Sequence, residues 1–158
     1  MHHPGAGQLA GRVAGAVRVA EVVFADGAGA SGLATMLGTL LAQNVEQHRD
    51  KYEAFRRVNA DIGIEVRDIG ESVTLSFAGD RCTVHNGIVR RPRVRLRTDS
   101  ETLLALSSVR IGPLGLPNYV DAGGWAVLRA LATGRLRIDG MRHVGTLNRV
   151  TRLFSVVE

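Results

Sequence analysis

Between Ile62 and Thr98 apolar and polar side chains alternate through four consecutive runs. Ile62, Ile64 and Val66 lie opposite Glu65 and Arg67, and Val73, Leu75 and Phe77 opposite Ser72, Thr74 and Ser76. Cys82 and Val84 lie opposite Arg81, Thr83 and His85, and Val94 and Leu96 opposite Arg93, Arg95 and Arg97. Successive strand side chains point to opposite faces, so a period of two sustained over four segments predicts a sheet buried on one side. Gly70-Glu71, Gly79-Asp80 and Asn86-Gly87 punctuate the runs. Asn-Gly is the strongest of these hairpin signals because both residues tolerate positive φ.

The flanking segments carry helical spacing. Leu9, Val13, Val17 and Phe24 suggest a first helix, broken by Asp26 to Gly32. Ser31, whose hydroxyl can accept from an orphan backbone N–H, is the expected N-cap of a second helix reaching about Asn59. After the sheet, Asp99 or Ser100 caps a short helix with Leu103, Leu104 and Leu106. Residues 111–122 read as a loop, with Gly112, Pro113, Gly115 and Pro117 blocking regular structure, yet Ile111, Leu114, Leu116, Tyr119 and Val120 make it oily. Trp125, Leu128 and Leu131 mark a helix ended by Gly134, and Leu136 and Ile138 a short fifth strand. Met141, Val144, Leu147, Val150, Phe154 and Val157 form the stripe of a last helix. Amphipathic helices are thus available to cover the oily sheet face.

Composition narrows the class. A chain of 158 residues with 45% hydrophobic residues and mean hydropathy +0.05 is globular and large enough for one core without disulfide or metal. The single cysteine, Cys82, excludes an internal disulfide and suits a reducing compartment. Gly27 to Val45 carries no charge, but its truly apolar part, Leu33 to Ala42, is too short to span a bilayer. Glu21 and Asp26 interrupt the pattern of a signal peptide. The expectation is a soluble, cytoplasmic protein.

Catalytic constellations are missing from the pattern. His48, His85 and His143 lack metal-ligand spacing, and there is no Cys/His cluster, phosphate loop or nucleophile elbow. Cys82 falls on the apolar side of its strand, which suits a small core residue better than a nucleophile. No catalytic residue, metal or cofactor is expected. The net charge of +5 is concentrated: six of the fourteen basic residues after position 59 lie between Arg81 and Arg97. Arg91, Arg93, Arg95 and Arg97 alternate onto one face, where like charges require solvent, a cross-strand carboxylate such as Glu65, or an anionic partner. A membrane surface or acidic partner is compatible with this ladder. Nucleic acid is disfavoured, since no aromatic residue stands beside the arginines.

The order of elements resembles the sterol carrier protein 2 superfamily. Asp80-Arg81-Cys82-Thr83-Val84-His85-Asn86-Gly87 and Pro92-Arg93-Val94-Arg95-Leu96 look like its central strands, and Gly134-Arg135-Leu136-Arg137-Ile138-Asp139-Gly140 like its last strand, followed by a helix ending in Leu153-Phe154. The resemblance covers roughly Asp61 to Val157; residues 1–60 resemble no family. It implies an α+β, SCP2-like fold: a twisted, predominantly antiparallel five-stranded sheet with one face covered by amphipathic helices. Residues 60–158 would form the lipid-binding domain, preceded by an N-terminal helical extension over residues 1–59. The implied function is non-catalytic binding or transfer of a sterol, fatty acid, acyl-CoA or isoprenoid lipid in an apolar cavity. By position, the implied lining is Val73, Leu75, Phe77, Val84, Val94 and Leu96 from the sheet. Leu104, Trp125, Leu128 and Phe154 would come from helices, and Leu116 and Tyr119 from the oily loop.

The Arg-rich strand, the apolar loop and the N-terminal helices exceed a minimal carrier. They leave room for an accessory module that holds a quinone-like isoprenoid lipid for partner enzymes, as the resemblance to SCP2-like bacterial proteins implies. The competing reading is a scaffolding subunit that forms a homodimer or docks on partners through its N-terminal helices.

Overall fold

The four alternating runs become four adjacent strands because one face of each must leave water. The computed structural model describes residues 19–89, 91–107 and 129–154. In chain order it contains β1 (Glu21–Phe24), α1 (Gly32–Gln47), α2 (Arg49–Arg57), β2 (Asp61–Val66), β3 (Glu71–Ala78), β4 (Arg81–Asn86), β5 (Val94–Thr98), α3 (Ser100–Ser107), β6 (Arg137–Asp139) and α4 (Val144–Phe154). The sheet order is β1-β4-β3-β2-β5-β6.

The sheet has six strands and is mixed, where five predominantly antiparallel strands were expected. β1 is parallel to β4 and β2 parallel to β5, while the β2–β3, β3–β4 and β5–β6 pairs are antiparallel. The added strand, Glu21-Val22-Val23-Phe24, falls where a helix was expected to end. Its β-branched and aromatic residues fit a half-buried pleated edge better than a helix. The rest of that expected helix lies outside the described residues. The second helix also departs from expectation: it breaks at His48, whose extended φ of −129° and ψ of 114° separate α1 from α2.

Gly70 and Gly79, with φ of +65° and +60°, turn the two expected hairpins. Asn86-Gly87 does not turn a third. The chain leaves β4, crosses the outer sheet face and enters β5 beside β2. Thr74 fixes the crossing: its hydroxyl donates to the Gly87 carbonyl at 2.8 Å and accepts from the Val89 N–H at 3.0 Å. Gly63 makes room for it, since a Cβ there would lie 3.0 Å from Pro92 Cγ and 3.1 Å from Ile88 Cδ1. The strap explains why Thr74 and Gly63, on the nominally polar side, are buried.

The helices cover the other face. α1 lies over β1, β3 and β4, α2 over β3, and α4 packs on α1, α2 and α3. Ser31 is the N-cap as expected, accepting from the Ala34 N–H at 3.2 Å. Glu71 completes the cap from β3, accepting from Ser31 Oγ at 3.2 Å and the Leu33 N–H at 2.9 Å. A carboxylate there satisfies orphan donors and opposes the positive end of the helix dipole. Leu33, Leu37, Leu41 and Val45 pack inward, Phe24 meets α1 at Gly38, and Phe55 stacks edge-on against Phe77 with centroids 5.4 Å apart. At the far end Asn44 Nδ2 donates to the Leu153 carbonyl at 2.9 Å, closing the last turn of α4.

Gly140, at the end of β6, has a φ of +93° and abuts the Arg93 carbonyl so closely that any Cβ would collide with backbone. Gly140→Ala is expected to cost about 2 kcal/mol or more, from a left-handed φ combined with that collision. Urea denaturation should show a lower midpoint with unchanged slope; a wild-type midpoint would refute the close approach.

Candidate ligand-binding site

The inner sheet face has two regimes. Under α1 and α2, Val73, Leu75 and Val84 are fully buried, Phe77 is 4% exposed, and Val94 on β5 is fully buried. These expected lining residues form close-packed core with Ile62, Ile64, Phe55 and Leu41. Toward the β6 edge the seal loosens. Leu96 on β5 and its cross-strand partner Ile138 on β6 are half-buried. Leu147 and Phe154 of α4 are half-buried against the same core, while Val150 and Leu153 between them are sealed.

α3 presents the reverse of the expected residue choice: Leu103 is buried and Leu104 is 63% exposed. Leu116, Tyr119, Trp125 and Leu128 lie outside the described residues. Ile138, Leu147 and Leu103 were not singled out from sequence as lining. Ile138 was legible through its alternation with Arg137. Leu103 was not, because three leucines in one short helix leave its facing open.

The half-buried strip is purely hydrocarbon, and an ionic clamp holds one border of it. Asp99 caps α3, accepting from the Thr102 N–H at 2.7 Å, and receives Arg135 Nε at 2.9 Å. Arg135 also reaches Glu101 at 2.7 Å. Ser100 bonds to Asp68 through both its hydroxyl and its N–H, and Arg67 donates to the carbonyls of Gly134 and Arg135. These contacts tie the start of α3 to the turn preceding β6. The Thr102 hydrogen bonds, seconded by Arg135, hold the Asp99 carboxyl down to about 2.

On the outer face the arginine ladder is half neutralised. Arg95 grips Glu65 through two bonds of 2.9 and 2.7 Å, and Arg97 Nε shares the same carboxylate at 2.9 Å. The Arg95 hydrogen bond is the main reason the Glu65 carboxyl is held below its ordinary value. Cys82 is buried on the inner face, and burial pushes its thiol well above the usual range, which makes it inert as a nucleophile. No group of residues among those described could hold a metal ion. A cleft of about 240 Å³ between α2 and α4 is lined by Asp50, Glu53, Arg57, Asn148, Arg149 and Arg152. Its charged walls do not suit a hydrocarbon ligand.

Comparison with known proteins decides the family. The model of the SCP-2 sterol transfer family matches residues 37–116, half of the chain. The chain belongs to this family. The match begins inside α1 at Leu37, so the family's signal extends N-terminal to Asp61, where the motifs alone suggested it began. No curated protein matches the chain.

Two solved structures share the fold. One is the UbiJ-SCP2 ubiquinone synthesis protein, with TM-score 0.56 and 13% identity, covering 77% of this chain and 92% of its own. The other is the sterol carrier protein domain 2 of Helicoverpa armigera, with TM-score 0.50 and 17% identity, covering 76% and 88% respectively. Family membership gives the chain a non-catalytic, hydrophobic-ligand-binding role. No helix among the described residues is long and apolar enough to cross a membrane.

Two outcomes test the site's chemistry. Because the Asp99 carboxyl sits lower in the folded than in the unfolded chain, its stabilisation is complete above about pH 4 and is lost as pH falls toward about 2. Denaturation across that window should show a steeper stability loss for the wild type than for Asp99→Asn; equal slopes would refute the clamp. Cys82 should react with an aromatic disulfide reagent only at the rate of unfolding, and rapid native labelling would contradict its burial.

Proposed function

We propose that this protein holds a long-chain lipid, of the fatty-acyl or isoprenoid class, against the β5–β6 end of its sheet. The supporting observation is that Leu96 and Ile138, paired across β5 and β6, and Leu147 and Phe154 of α4 are apolar, half-covered and packed against the core. Such a surface gains roughly 25 cal/mol for each Å² of apolar ligand it takes from water, and it needs no reacting group. In this reading residues 60–158 supply the ligand-bearing unit, while α1 and α2 close the opposite half of the sheet. Leu116, Tyr119, Trp125 and Leu128, in the chain between α3 and the turn before β6, would complete the lining. An elongated ligand fits the strip better than a broad rigid one, because its four side chains come from a cross-strand pair and one helix face.

The N-terminal helices support this reading over a scaffolding role. Leu33, Leu37, Leu41 and Phe55 point into their own sheet, so the apolar face that a partner would need is already used.

Native and denaturing mass spectrometry with organic extraction tests the proposal. A stoichiometric lipid released only on denaturation is expected. Leu147→Gln and Phe154→Ser should weaken binding of added fatty acid or isoprenoid by about tenfold or more, since each removes apolar contact worth over 1 kcal/mol. Quenching of the single tryptophan, Trp125, can follow that titration. An empty protein that ignores both lipid classes would refute the reading.

A further inference from the structure

The part of the arginine ladder left unneutralised lies at one corner of the sheet. Arg95 and Arg97 are held by Glu65, but Arg91 and Arg93 are exposed and form no ion pair with any described residue. Two contacts fix their position. Pro92 packs over Gly63, and the Arg93 N–H donates to the Asp61 carbonyl at 2.8 Å. Gly140 rests directly on the Arg93 backbone, so the turn that follows, Met141–His143, projects from the same corner.

That turn carries a second feature. Met141 is 57% exposed and Val144, at the start of α4, is 58% exposed, although both belong to the stripe that helical spacing assigned to the core. Arg142 stands between them with its guanidinium against His143 rather than a carboxylate. The acidic groups on neighbouring strands are Glu65, taken by Arg95 and Arg97, Asp139, engaged by Arg97 at 3.8 Å, and Asp61. Three exposed cations and two exposed apolar side chains thus lie on two segments that meet where Gly140 rests on Arg93.

We propose that this corner, Arg91, Arg93, Met141, Arg142 and Val144, is a docking surface for an anionic lipid bilayer. Guanidinium groups pair with headgroup phosphates while the short apolar side chains enter the interfacial zone, a division that neither a purely charged nor a purely oily surface provides. Within the ladder the free charge is confined to the corner, because Arg95 and Arg97 already have carboxylate partners. Leu147 and Phe154 continue the helix that begins at Val144, so docking here presents the end of the proposed lipid site to the membrane. In that respect the inference rests on the carrier reading, but vesicle binding is measured independently of it.

The test is co-sedimentation of the full chain with vesicles of phosphatidylcholine alone and of phosphatidylcholine with phosphatidylglycerol. Binding is expected only to the phosphatidylglycerol vesicles, weakening with salt. The triple change Arg91→Glu, Arg93→Glu, Arg142→Glu should reduce it by about tenfold or more, and Met141→Ser with Val144→Ser should reduce it further. Arg49→Glu, an exposed charge on α2, should leave it intact. Lipid extraction and fatty-acid titration of the triple variant should match the wild type, which separates docking from ligand holding. Absence of binding to anionic vesicles by the wild type, or equal loss in Arg49→Glu, would overturn the inference. So would retention of an acidic polypeptide such as polyglutamate in place of vesicles, which would make the corner a protein contact.

Discussion

A sheet that is oily on one side must be covered across its whole width, and the structure meets this requirement unevenly. α1 spans β1, β4 and β3 and seals the inner residues of β3 and β4 to near-zero exposure, while β1 at the edge stays half-buried. Hydrophobic transfer drives the closure, and close packing of Leu37, Leu41 and Phe55 on Leu75, Phe77 and Val84 completes it. At the β5–β6 half Leu96 and Ile138 stay half-buried, and α4 packs chiefly on the other helices. The same force that makes a core under α1 leaves an unsatisfied apolar strip at the other end. A binding protein can be built from that imbalance without any special chemistry.

Polar interactions in this fold act chiefly as position markers. Glu71 at the start of α1, Asn44 at the end of α4, and the Asp99–Arg135–Glu101 group each satisfy backbone or charge at an element end. They fix where helices sit on the sheet, while burial supplies most of the stability. The crossover between β4 and β5 has a similar role on the outer face. It positions β5 beside β2, and thereby decides which arginines meet Glu65 and which remain free at the corner.

Family membership and the geometry answer different questions. The SCP-2 match accounts for a one-sided sheet with a hydrophobic ligand and no catalytic group. The shared fold with the UbiJ-SCP2 ubiquinone synthesis protein and the Helicoverpa armigera domain is a likeness of architecture at low identity. The arginines of β5 and the exposed Met141 and Val144 are read from this chain's own structure.

The sequence by itself determined the four central strands, their oily face, the Ser31 cap, a cap at Asp99 or Ser100, and the turns at Gly70, Gly79 and Gly134, because each depends on neighbours within a few residues. It also placed Cys82 and the ladder on opposite faces, since a period of two leaves no alternative. Only the tertiary structure decided that Glu21–Phe24 is a strand, since its edge position depends on β4, about sixty residues later. Likewise Asn86-Gly87 has the composition of a hairpin, and only the parallel pairing of β5 with β2 turns it into a crossover. Met141 and Val144 share a helical stripe with Val150, yet Val150 is buried and the other two are exposed. Periodicity fixes which face of an element is apolar; long-range pairing fixes whether anything lies against it.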